Sequence, residues 1–281
     1  MSWEAIDLMI LWPALVAGLL VTATHVPLGM QVLARGIVFI DIAIAQIAGC
    51  GVLLADKVGF EAEGVAAQVA ALAAALGGAL LLTWTERVWP EVQEAVIGVV
   101  FVLAATGGVL LLASNVHGSE HLRDLLVGQI LWVKHSQLAL AAVLYAAILG
   151  VWFRWGARLG RVGFYVLFAL AVTVSVQLVG LYLVFATLIV PPLATRAMAE
   201  RRLPVAWAIG AAGYAAGLVV STMADLPSGP AIVWAIVAVA LLFSAFRRTR
   251  SRLRGHDRGA SAQSSCPTAL RAPPAADLPG P

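Results

Sequence analysis

Residues 177–203 read Q-L-V-G-L-Y-L-V-F-A-T-L-I-V-P-P-L-A-T-R-A-M-A-E-R-R-L, and the reading of this stretch decides the fold. Gln177 and Gly180 interrupt apolar sequence, a long hydrophobic run follows, and Pro191-Pro192 closes it ahead of Arg196, Arg201 and Arg202. Proline lacks the N–H that continues a helical ladder and its ring clashes with the preceding turn, so a break is predicted at the pair. The expected product is a membrane passage that ends at the prolines and delivers a short basic helix over 193–203 to the surface. Arginines there favour the cytoplasmic side. Such a segment suits docking on a soluble partner, and an ordinary positively charged loop would have the same composition.

Working outward, the chain of 281 residues is 61% hydrophobic and 12% charged, with a mean hydropathy of +0.93. These values describe an all-α, polytopic membrane bundle and exclude a soluble domain. A crossing takes about 20 apolar residues, which gives nine candidates: 6–30, 36–55, 64–84, 95–113, 136–153, 162–178, 180–194, 204–223 and 229–246. The short candidate 180–194 either crosses or re-enters, so eight or nine spans are expected.

Counting it as a crossing places the N-terminus outside and the C-terminus inside, and then Lys57, Arg123 and Lys134 are the external basic residues while the other fifteen of eighteen lie inside. A single helix over 162–194 would instead put Arg154, Arg158 and Arg161 on the opposite side from Arg196, Arg201 and Arg202, which the positive-inside rule rejects. No basic leader precedes the first apolar run, so no cleaved signal peptide is expected. Residues 1–246 read as a transmembrane domain and 247–281 as a basic, then Ala/Pro/Ser-rich, cytoplasmic tail without a core, expected to be disordered. The net charge of +3 owes seven of its arginines to that tail, so it marks topology and not a nucleic-acid surface. Ala and Gly repeats in 64–84 and 210–217 predict close helix packing.

For chemistry, the chain has no phosphate-binding G-x-x-x-x-G-K-[ST] loop, so ATP would be used by another subunit. There is no G-x-S-x-G elbow, and Cys50 and Cys266 give no disulfide framework. Asp41 is the one carboxylate inside a predicted span, about 8–9 Å from its end at 1.5 Å per residue. An acid at that depth is costly unless paired, protonated or facing a wet path; it is a candidate metal ligand, and a carboxyl bonded to a neighbouring helix is the plain alternative. Gln46 follows on the same helix about 140° around, as path lining or as glue between helices. His25 reads as a structural histidine near the inner end of the first span. His117, Glu120 and His121 spell H-x-x-E-H in an external loop, where they could capture a transition metal at the outer mouth; Gly118 inside the motif speaks against the helix that a metalloprotease needs. Asp225-Leu226-Pro227-Ser228-Gly229 is an external turn whose residues are turn formers in their own right, and Asp225 is a candidate for the outer gate.

The order of these pieces resembles the ABC-3 permeases, the membrane subunits of zinc and manganese ABC importers. The run from Val179 to Thr195 is similar to the family's V-G-x-L-L-V…L-I-I-P-A-A-T, 225–229 to its D-x-P-T-G turn, Glu94 with 97–101 to E-x-x-I-G-V-V-F, and 126–133 to L-F-G-D-I-L-A-V. The layout is also similar to the cobalamin and siderophore permeases. The resemblance implies no permanently bound cofactor, a transported divalent ion (zinc or manganese), alternating access, a homodimer of permeases in the cell (inner) membrane, a cytoplasmic ABC ATPase and an extracytoplasmic metal-binding protein. It also implies that Thr195, Arg196, Glu200, Arg201 and Arg202 meet that ATPase. Where the family pattern has Asp and His at i and i+4, this sequence has Ile42 and Gln46, with Asp41 one residue early. Transport of another substrate by the same machine, or an ion-coupled carrier using Asp41, are the competing expectations.

Overall fold

The computed structural model of the chain describes residues 8–61, 64–112 and 130–264, and these form α-helices joined by short links, with no strand among the described residues. In chain order the helices are α1 (Leu8–Arg35), α2 (Ile40–Val58), α3 (Val65–Val88), α4 (Gln93–Leu112), α5 (His135–Trp155), α6 (Gly160–Val179), α7 (Leu181–Ala194), α8 (Arg202–Ala224) and α9 (Ser228–Ser264). Every predicted crossing is a helix. Seven are long and apolar enough to span a bilayer. α2 has 19 residues, about 28 Å at 1.5 Å each, but carries Asp41 near one end and Asp56 and Lys57 near the other. α7 has only 14 residues, about 21 Å, short of the roughly 30 Å hydrocarbon core.

Side-chain contacts fix the helix directions. On α1 and α8, Gly18 meets Tyr214 and Thr22 meets Gly210, and the Trp207 indole donates to the Ala23 carbonyl at 3.3 Å; rising numbers against falling ones make the pair antiparallel. Gly213 and Gly217 of α8 lie on Ile236 and Ile232 of α9 in the same sense. On α2 and α4, Phe39 reaches Glu94 and Cys50 donates to the Ala104 carbonyl, a parallel pair. α5 and α6 are antiparallel through Tyr145 with Ser175 and Trp152 with Phe164. On α3, Ala67, Ala71, Ala75 and Ala79 are wholly buried, a stripe of one residue per turn that seats the helix in the bundle. Lipid offers no hydrophobic force between spans, so such small residues associate helices by allowing close van der Waals contact.

The decisive stretch folds differently from its simplest reading. α6 and α7 are separated by one residue, Gly180, at φ 85 and ψ 159, a conformation essentially confined to glycine. α7 then runs the same way as α1, since Thr187 bonds Tyr214 near the middle of α8 at 3.0 Å while Pro192 lies at Gly29 further along α1. The chain therefore doubles back at Gly180, as the arginine distribution requires, and residues 162–194 are not one helix. α7 does not stop at the prolines: Pro191 and Pro192 sit inside it, both buried. Nor is the segment after them a helix. Thr195 caps α7, residues 195–201 form turns and bends, and α8 begins at Arg202. Six or seven residues gain too few hydrogen bonds to offset helix nucleation, and the Thr195 hydroxyl holds the Pro191 and Pro192 carbonyls at 3.0 and 3.2 Å, which stops propagation.

At the other end of the sequence the chain divides into two compact units, Met1–Leu241 and Leu242–Pro281. In the second unit the helix continues to Ser264 where disorder was expected from Arg247; Arg and Ala are strong helix formers and prolong a helix already nucleated.

Candidate functional site

The candidate site is built where the chain leaves α1. Gly36, at φ 71, ends that helix and lets the Ile37 N–H close on the Val32 carbonyl at 3.3 Å, an αL termination that satisfies end carbonyls. Phe39 stands just before α2 and offers no side-chain cap. Its cap arrives from another helix, because the Phe39 N–H donates to Glu94 Oε1 of α4 at 3.3 Å. A carboxylate at a helix N-terminus meets exposed amides and the positive end of the dipole. The Phe39 ring lies parallel to that of Phe185 on α7, centroids 6.4 Å apart. The start of α2 is thereby tied to α4 by a hydrogen bond and to α7 by a ring contact.

Asp41 is the second residue of α2, so it stands in the first turn and not 8–9 Å along a helix as the sequence predicts. It is nonetheless 0% exposed, and no side chain pairs with either carboxylate oxygen; the donors beside it are the first-turn amides of Asp41 and Ile42. A buried carboxylate without a side-chain partner is strongly disfavoured as an anion; it is the kind of group that a cation or a proton completes. Gln46 is half-buried. Because α2 is continuous from Ile40 to Val58, the two side chains remain about 140° apart around the helix, and no bend brings them together.

The remaining predicted residues are scattered. Asp225 is exposed and ends α8 in the left-handed region at φ 50, its N–H on the Ser221 carbonyl; the Ser221 hydroxyl binds the Leu226 carbonyl at 2.7 Å. Thr195 is buried, Arg196, Glu200 and Arg201 are exposed, and Arg202 is half-buried. His117, Glu120 and His121 lie outside the described residues. His25 is buried with Nδ1 3.1 Å from the Val21 carbonyl of its own helix, while its Nε2 has no hydrogen-bond partner. Among the described residues no three His, Cys, Asp or Glu converge as a metal site.

Sequence reasoning missed the capping role of Glu94. The predicted fourth span began at residue 95, which left Glu94 outside it, whereas α4 begins at Gln93. Glu94 is therefore a carboxylate inside a candidate span. The signal was present in the E-x-x-I-G-V-V-F match, whose acid had been given no structural task.

The model of the ABC 3 transport family matches residues 7–157 and 157–247. The chain belongs to the ABC 3 transport family. It is thus a multi-pass permease of an ABC transporter. Among solved structures, PsaBC from Streptococcus pneumoniae in complex with Fab superposes on the permease with a TM-score of 0.70 at 21% identity, covering 86% of this chain and 95% of that one. A metal-chelate type ABC transporter in an inward-facing conformation superposes with a TM-score of 0.59 at 16% identity, covering 85% of each chain. No curated protein sequence matches the permease. At these identities the structural likeness concerns the fold.

Proposed function

We infer that the permease imports a divalent metal ion, zinc or manganese by its resemblance to that branch of importers, across the cell (inner) membrane. A second copy would complete the path, an extracytoplasmic binding protein would deliver the ion, and a separate ATPase would bind at the loop from Thr195 to Arg202. The observation that supports this reading is Asp41: fully buried, with no side-chain partner, and two residues beyond Phe39, which ties the start of α2 to α4 and α7. An arriving cation supplies the partner that the carboxylate lacks, and movement of α7 by the ATPase would reach it through Phe185 and Phe39. No covalent chemistry is assigned to this chain.

The test is reconstitution of the permease with its ATPase in liposomes, with hydrolysis measured against a series of ions. Stimulation by zinc or manganese is expected. A second reading keeps the machine and changes the substrate to a metal chelate. It draws on Gln46 standing where the family has histidine, and on the absence of a three-ligand cluster among the described residues. Stimulation by a chelate and by no free ion would establish it.

A further inference from the structure

A cavity of about 380 Å³ opens between α1, α5 and α6, lined by Gln31, Arg35, Trp152, Gly156, Gly160 and Phe164. Asp41 is not among its lining residues. Its one charged lining residue is Arg35, at the C-terminal end of α1. The Arg35 guanidinium carbon stands 4.3 Å over the Phe164 ring, and its Nη1 is buried without a hydrogen-bond partner. Phe164 is 1% exposed, so the stacked guanidinium is held in place with donors unspent. The positive potential at the cavity therefore comes from this guanidinium, which also faces the C-terminal ends of α1 and α5. A guanidinium with an unspent N–H favours an anion, and pairs with phosphate above most others.

We propose that this cavity is a binding site for a phosphate group, and that the phosphate belongs to the headgroup of an anionic phospholipid. Placement selects the lipid source. The cavity is at the end of α5 where Trp155 is 48% exposed and Trp152 lines the cavity, the aromatic signature of a membrane interface. Arg154 and Arg158 are exposed in the same turn, and no acid lines the cavity. Basic pockets between spans at this level accept anionic headgroups. The bound headgroup would bridge α1 and the start of α6.

The experiment is thermal unfolding of the full-length permease in neutral detergent, titrated separately with phosphatidylglycerol, phosphatidylcholine and inorganic phosphate. Phosphatidylglycerol is expected to raise the midpoint by several degrees more than phosphatidylcholine, and inorganic phosphate to leave it unchanged. Arg35→Gln should weaken the apparent affinity for phosphatidylglycerol at least ten-fold, whereas Lys57→Gln, exposed at the far end of α2, should leave it within two-fold. Should Arg35→Gln fail to fold, Gly156→Leu serves instead. Gly156 is in the right-handed region, and a Cβ there meets only Trp152 at 3.8 Å, so the larger side chain fills the cavity without altering charge; it should abolish the phosphatidylglycerol increment. Equal stabilisation by both lipids, or an increment that survives these substitutions, would overturn the site. A shift with inorganic phosphate alone would overturn the lipid as its occupant.

Discussion

Gly29 of α1 lies directly against the Leu188 carbonyl of α7, at the position that a Cβ on residue 29 would occupy. In a regular helix that carbonyl accepts from the N–H four residues on, which here is Pro192 and has none. The proline pair does not break α7; it leaves carbonyls that an approaching backbone can meet, which neighbouring helices permit within a bilayer.

The glycine at 29 is consequently a packing requirement. Gly29→Ala should lower stability by about 1–3 kcal/mol, the usual range for overpacking, seen as a reduced thermal midpoint in detergent. Gly98→Ala makes the contrast, since a Cβ there meets nothing within 4 Å, and it should melt like the unaltered permease.

Reversal of the chain at Gly180 is equally specific. Gly180→Ala places a Cβ on a backbone at φ 85 and ψ 159, at a cost of about 1–3 kcal/mol. A reduced midpoint and weaker assembly with the ATPase are expected; an unchanged midpoint would mean that α6 and α7 are not joined in this way.

Much of this was legible beforehand and some was not, for reasons that differ by element. Each hydrophobic run announced its helix, because length and apolarity alone decide what can lie in lipid. The arginines at 154–161 and 196–202 foretold the reversal between them. The helix after the prolines failed to appear because a seven-residue segment has no nucleus, and composition does not register a capping threonine such as Thr195. Asp41 was found by its charge, yet its depth was misjudged, since the start of α2 is set by Gly36 and by Glu94, which lies 55 positions away from Phe39 in sequence. Contacts at that separation leave no local pattern.

The link from Phe39 to Glu94 can be tested by itself. Glu94→Ala removes the cap of α2 and should cost about 1 kcal/mol, in the range of other cap deletions. Glu94→Gln retains an acceptor oxygen and should cost less. Equal losses in the two variants would show that charge, not the hydrogen bond from Phe39, is what matters.

At the start of α8, Arg201 occupies the left-handed region at φ 54, unfavourable for a residue with a Cβ by about 1 kcal/mol. Arg201→Gly should therefore raise the thermal midpoint slightly. If the loop docks the ATPase as proposed, the same variant should reduce hydrolysis coupled to transport. Stability and coupling would then move in opposite directions.

The central claim concerns the carboxylate of Asp41, and radioisotope uptake by Asp41→Asn in proteoliposomes with the ATPase and binding protein tests it most directly. The substitution keeps the shape of the side chain and removes its negative charge. Assembly should be intact and ion uptake should fall at least a hundred-fold; uptake at the unaltered rate from a fully assembled complex would contradict the account.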